Sequence, residues 1–272
     1  MSGTKVWGRI VGTLRVLAAL FAGAVGIGIW LQSEGEIEFS PLMEKVAWGV
    51  GLTVIAVDNV GTLIARDRQA RRRELYAYVD ELLMQLLVQI SMSKRAHVEE
   101  LGVSIWLKKR WQPVRFWRTD EVAFWRMRRF RPMNYPHQSN VSWTSRMGAV
   151  GDCWTTERRC YRNLYRLSVG YDEDTLQRMT AEQFEALSSE SQAGFTHREF
   201  QVTAGKYSEI IATPIFSAAK KPKMIGVLSV DRGMPELGAG EEFAAALNDP
   251  TTHGHVQVIV ELIGRRLDKA DD

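Results

Sequence analysis

The chain has 272 residues, 45% of them hydrophobic and 25% charged, with nine tryptophans. That composition accommodates one good-sized packed domain plus an anchor, or two small domains, and excludes wholesale disorder. A net charge of +3 does not by itself point to nucleic acid. Two cysteines alone, Cys153 and Cys160, exclude a disulfide-built secreted scaffold and fit a reducing compartment.

From Ile10 to Leu31 the chain reads IVGTLRVLAALFAGAVGIGIWL, a run of 22 residues with one charge, Arg15, near its start. A bilayer core needs about 20 helical residues, so the run is long enough to span, and Arg15 can snorkel to the headgroups. A second run, Val46 to Ala65, is less apolar and carries Asp58 and Asn59, the candidate intramembrane polar pair. A carboxylate there is expected to face a partner helix or sit near the interface. Lys5 and Arg9 precede the first run, glutamates crowd the connection, and Arg66, Arg68, Arg71, Arg72 and Arg73 follow the second. The basic-inside bias predicts a two-pass protein of the inner or plasma membrane with both termini cytoplasmic. A cleaved signal peptide is the alternative for the first run, but 22 residues is long for one and a second span follows at once.

Residues 69 to about 95 lack Gly and Pro. Leu75, Val79, Leu82, Leu86 and Ile90 step by four, three, four and four, with Leu83 and Leu87 widening the stripe. This predicts one long connecting helix whose apolar face is either a dimer seam or the surface that packs on the domain. The organisation expected is an anchor over 1–66, a connecting helix over 67–98 and a soluble domain over 99–272.

Within that domain, alternation predicts strands over 102–108, 121–130, 208–216 and 224–232, the last two joined by a hairpin loop, SAAKKPK. Helices are expected around 181–189 and 256–267, the first capped by Thr180 with Gln183 closing a capping box. Strands at both ends with helices between them point to an α+β domain, an antiparallel sheet with flanking helices, preceded by two transmembrane helices.

Three short motifs carry a family resemblance. Gly148, Gly151, Cys153 and Trp154 form a glycine-flanked turn of the type G-x-x-G-x-C/A-W. Ala212, Pro214 and Ile215 lie on one later strand, and Gly226, Leu228 and Asp231 on the next. In this arrangement, over about residues 75–270, the chain resembles a GAF domain. The resemblance implies a small-molecule sensor, dimeric through its flanking helices, with a pocket over the sheet closed by variable helices and loops. The Asn-Lys-Xn-Phe-Xn-Asp-Glu pattern of the cyclic-nucleotide-binding members is not recognisable. Neither cysteine is followed by His, as a bilin-attaching site requires, and their spacing does not match that of a methionine-sulfoxide reductase. In a GAF-like pocket Trp143, Cys153, Trp154 and Tyr161 would line or stack against a ligand. Arg158, Arg159 and Arg162 would meet an anionic one.

Other chemistry is sparse. The five histidines are scattered, the cysteines lack metal spacing, and no G-x-S-x-G, P-loop or G-x-G-x-x-G occurs in the soluble part. No catalytic constellation, metal site or cofactor is expected, and the ligand is unknown. The stretch 106–131 interleaves nine Lys/Arg with seven aromatic residues. Basic and aromatic side chains together can bind single-stranded nucleic acid, but next to an anchor they are expected to face anionic lipid or solvent. Lys108, Lys109, Arg110, Arg115 and Arg118 are the candidate lipid-facing residues. The remaining partners expected are the bilayer, a second copy of the chain, and an anionic small molecule or a protein. The function expected is a membrane-anchored cytoplasmic sensory or regulatory ligand-binding domain that signals through its connecting helix. The alternative is an effector whose ligand-driven clustering of the two spans permeabilises the bilayer.

Overall fold

The structure is a computed structural model that describes residues 23–24, 26–28, 30–35, 40–92, 96–109, 121–133, 141–165, 173–235 and 242–271. The chain divides into two compact units, Met1–Arg73 and Glu74–Asp272. The first expected span lies mostly outside the described residues. The second falls on helix α1, Pro41–Met92, which runs unbroken for 52 residues. Asp58 and Asn59 are exposed on it. Among the described residues no helix is long and apolar enough to cross a membrane.

In the second unit the alternating segments become strands, as their period of two requires. They are β1 Leu101–Lys108, β2 Phe124–Phe130, β3 Cys160–Asn163, β4 Tyr207–Phe216 and β5 Met224–Gly233. They form one antiparallel sheet in the order β2-β1-β5-β4-β3. A short helix precedes β3. That helix, α2, is Gly148–Thr156 and stops at Glu157, whose backbone is left-handed (φ 53). Short helices α3 Glu173–Gln177, α4 Ala181–Glu185, α5 Ser189–Gln192 and α6 His197–Thr203 precede β4. A long one, α7 Pro250–Asp271, follows β5. The capping box of Thr180 and Gln183 is present, and Thr196 and Glu199 form a second.

Each face of the sheet has its own core. On one face Val79, Leu83, Leu86, Leu87 and Ile90 of α1 pack with Val103, Ile105, Ile211, Leu228 and Val230 of the strands and with Val256, Val260 and Ile263 of α7. The apolar stripe of the connecting helix is therefore the domain's own packing surface. On the other face Trp106, Phe124, Ala149, Val150, Cys153, Ala212 and Val227 form a second cluster under α2. A third, of Leu176, Met179, Phe184 and Phe200, holds the short helices together.

Two β-bulges decide which side chains reach which face. One extra residue in a strand reverses the facing of everything beyond it. In β2, Trp106 pairs with Arg126 and Ile105 with Arg128, so Met127 is the extra residue. Arg126 and Arg129 consequently share one face, while Met127 joins the helix-side core and Arg128 pairs with Asp80 of α1 at 2.6 Å. In β4 the register shifts between Tyr207 and Glu209. The extra residue, Ser208, returns its hydroxyl to the carbonyl of Gly233 at 2.9 Å. Tyr207 is thereby turned to the α2 side and Glu209 to the α7 side.

Glu209 is fully buried on the α7 side. One carboxylate oxygen accepts from the backbone N–H of Ala246 (2.8 Å) and from Arg232 (3.4 Å). The other accepts from the N–H of Leu247 (3.0 Å) and the Tyr161 hydroxyl (3.2 Å). Arg232, also buried, donates to Glu100 (2.6 Å) and to the Ala244 carbonyl (3.0 Å). Replacing Glu209 with Ala strands two N–H groups and part of a buried guanidinium. Its loss is expected to cost about 3–5 kcal/mol, measured by urea unfolding. A cost below about 1 kcal/mol, the range of surface ion pairs, would show that water replaces these bonds without loss.

Candidate functional site

Between the sheet and the helices α2, α3, α5 and α6 lies a cavity of about 90 Å³. The bulge in β2 sends Arg126 and Arg129 into it, β1 contributes Ser104 and Trp106, and β5 contributes Ser229 and Asp231. The far wall is Gly148, Ala149 and Val150 from the first turn of α2, with Leu176, Phe195, Phe200 and Ala204 from the short helices. Tyr207 enters from the bulged end of β4 and Arg162 from β3.

The close approach of backbone segments at the α2 end depends on glycines. Gly148 (φ +57) and Gly194 (φ +72) take left-handed conformations that cost other residues energy. A Cβ on Gly194 would sit 1.9 Å from the Arg146 carbonyl oxygen. The N–H of Gly148 donates to the Ala193 carbonyl at 2.8 Å, which ties the start of α2 to the loop after α5.

Three aromatic rings form a continuous wall. Trp106 and Trp143 are 5.1 Å apart at 45°, and Trp143 meets the edge of Phe195 at 5.5 Å. The Trp106 indole N–H is satisfied by the Ser229 hydroxyl at 2.9 Å. The guanidinium of Arg126 lies over the Trp106 ring, 4.6 Å from its centre, a cation–π contact. Burial lowers the pKa of Arg126, and the neighbouring Arg129 lowers it further.

The charges around the cavity are unevenly matched. Asp231 is ion-paired with Arg131, whose own pKa burial lowers to about 10. Arg131 passes over Gly102, where any Cβ would collide with the guanidinium. Arg162 is paired with Asp152 of α2, at 2.6 Å and 2.8 Å, and donates to the Glu190 carbonyl at 2.9 Å. Arg126 has no carboxylate partner among the described residues, and its Nε–H and the Trp143 Nε1–H are buried without hydrogen-bond acceptors.

Of the residues singled out in the sequence, Trp143 and Arg162 line this cavity. Cys153 and Trp154 belong to α2 and pack in the second core cluster, Trp154 edge-on to Phe124 at 5.2 Å. Tyr161 packs on the opposite face of the sheet, where it serves Glu209. Arg158 and Arg159 are exposed beyond the left-handed end of α2. Lys108 and Lys109 are exposed at the end of β1, and Arg110, Arg115 and Arg118 lie outside the described residues. Arg126, Arg129 and Tyr207 were not among the candidates, because simple alternation assigns their faces wrongly on the far side of a bulge. Among the described residues no group of three or more His, Cys, Asp or Glu could hold a metal ion.

The three motif segments lie where the GAF resemblance implied. The glycine-flanked turn opens α2 against the cavity, and the Ala212–Ile215 and Gly226–Asp231 segments are hydrogen-bonded neighbours in β4 and β5. No family model and no curated protein matches the chain. Among solved structures it is similar to the GAF domain of a two-component sensor histidine kinase from Bacillus halodurans. That likeness has 11% identity and a TM-score of 0.37, over 71% of this chain and 95% of that one. It is also similar to a chain described as a GAF sensor protein from Burkholderia vietnamiensis. Here the identity is 14% and the TM-score 0.36, over 74% of this chain and 99% of that one.

The two thiols are held protonated. Burial raises the pKa of Cys153 to about 12, helped by Cys160 and Asp152, and burial with Asp152 raises that of Cys160 to about 11. Their contribution to stability is full below the unfolded thiol pKa, about 9.0, and is lost as pH rises through about 11 to 12. Because the thiolate is the nucleophile, both cysteines of the native chain are expected to resist a disulfide reagent near neutral pH and to react promptly once unfolded. Rapid labelling of the native chain would contradict this.

Proposed function

We propose that the second unit is a sensory or regulatory ligand-binding domain, held at the cytoplasmic face of a membrane by the segments before it. The observation that carries this reading is the cavity itself. It has an aromatic wall, and two of the side chains that line it, Arg126 and Trp143, carry buried donors without hydrogen-bond partners among the described residues. Buried donors are normally satisfied, and groups left open at a cavity are those a ligand completes. The GAF-like motifs agree, since they imply a sensor pocket over the same face of the sheet.

The membrane part of the reading rests on sequence and on one exposed surface. Trp48, Leu52, Val60, Leu63 and Ile64 all present large apolar side chains outward from α1. Large apolar side chains exposed in this number call for lipid or a partner to cover them. The basic cluster Arg66 to Arg73 directly follows and suits an anionic inner leaflet. No catalytic step is assigned to the domain.

Native mass spectrometry of the full chain, released from detergent without added ligand, tests the ligand reading. A defined extra mass on each folded chain is expected. The compound so identified should raise stability by about 2.7 kcal/mol at a hundred times its Kd. A chain that carries no extra mass, and that no compound in a broad metabolite panel stabilises, would reject the reading. Recovery of the chain in the alkali-washed membrane fraction tests the anchor, and release by the wash would reject it.

A further inference from the structure

We infer that the cavity takes a small organic carboxylate with a flat, apolar body, its carboxylate on Arg126 and on the indole N–H of Trp143. The inference rests on the reading that this cavity binds a ligand, and it names the ligand's chemical class.

The first argument is the sign of the unmet groups. Two side chains that line the cavity carry buried N–H groups without acceptors, the Arg126 Nε–H and the Trp143 Nε1–H, and an indole or guanidinium has no acceptor to offer. Of the acceptors nearby, Asp231 is ion-paired with Arg131 and the Ser229 hydroxyl accepts from Trp106. A ligand that completes the site must therefore bring acceptors. The second argument is charge. Arg126 is a half-buried cation that no carboxylate of the described chain offsets, with Arg129 close enough to repel it. Cations taken out of water are normally paired, so the missing partner is an anion.

Shape narrows the class. The guanidinium lies over Trp106, and its planar fork of N–H groups is one that a carboxylate can match with two parallel bonds. The rest of the lining is largely apolar, with Phe195, Phe200, Leu176 and Val150 on the far wall. Those side chains suit a flat, apolar body that carries a carboxylate at one end.

The test compares benzoate, benzamide and inorganic phosphate on the full chain in detergent, by calorimetric titration and thermal shift. Benzoate is expected to bind at least tenfold more tightly than benzamide, which has the same shape without the charge. Arg126→Gln should weaken benzoate at least tenfold and bring its affinity down to that of benzamide. Arg126→Lys should fall between, since it keeps the charge and loses the fork. Trp143→Phe should weaken benzoate several-fold. A purely structural Arg126 would instead lower the unliganded melting temperature and leave the benzoate-to-benzamide ratio untouched, which overturns the inference. Equal binding of benzamide overturns it too, while leaving the ligand-binding reading intact. Phosphate binding without benzoate would replace the carboxylate with a phosphoryl group. Binding of none of the three also overturns it, and the mass measurement on the full chain then decides separately whether the cavity is a ligand site.

Discussion

A carboxylate with no exposure to water has to find its hydrogen-bond partners inside the protein, and Glu209 finds them on three other segments at once. Tyr161 of β3, Arg232 of β5 and the backbone at Ala246 and Leu247 all donate to it. The N–H groups of Ala246 and Leu247 would otherwise be buried donors without an acceptor, so losing the carboxylate carries a penalty beyond the bonds themselves. The edge strand β3 and the chain leading into α7 are thus fastened to the centre of the sheet by one side chain. Arg232 extends the fastening to Glu100 and lies over Phe243, which stacks on Tyr165 at 4.2 Å. A sheet held this firmly on one face can leave a cavity on the other.

The cavity exists because the sheet does not alternate perfectly. Without the extra residue in β2, Arg129 would share a face with Met127, among the apolar side chains of α1 and α7. With it, Arg128 reaches Asp80 and lies over Tyr76 of α1, while Arg129 turns into the cavity. The bulge at Ser208 does the same for Tyr207 and Glu209. Charged residues on a central-looking strand thereby find either a partner or a polar opening, and none is forced into the apolar core.

Much of this fold is legible in the sequence. The clear alternation of GVSIWLK, SEIIATPIF and MIGVLSVDR gave strands within a residue or two of those observed, and Thr180 with Gln183 marked a helix start by chemistry alone. The stripe from Leu75 to Ile90 identified a packing face but could not say what covered it, because a dimer partner and a sheet demand the same residues. Strand β3 was missed: CYRN is four residues long and half-buried throughout, too short and too evenly exposed for a period to show. The site was legible in part. Trp143 and Arg162 were identifiable from the glycine-flanked segment and its basic follow-on. Arg158 and Arg159 have the same chemistry as Arg162, but the left-handed turn at Glu157 leaves them in solvent. Arg126 was visible only as one of nine basic residues in a stretch, since nothing in the letters marks where a strand bulges.

The bulged strand β2 also sets a distance. Arg128 and Arg129 are consecutive, yet one grips Asp80 of the long helix and the other borders the cavity on the opposite face. A single peptide bond therefore separates what the cavity touches from what the helix touches. Binding free energies are reciprocal. Whatever free energy an occupant of the cavity imparts to the Arg128–Asp80 attachment is the same free energy by which tugging or twisting α1 changes that occupant's affinity. A load on α1 and an occupant of the cavity would act on neighbouring residues of one strand.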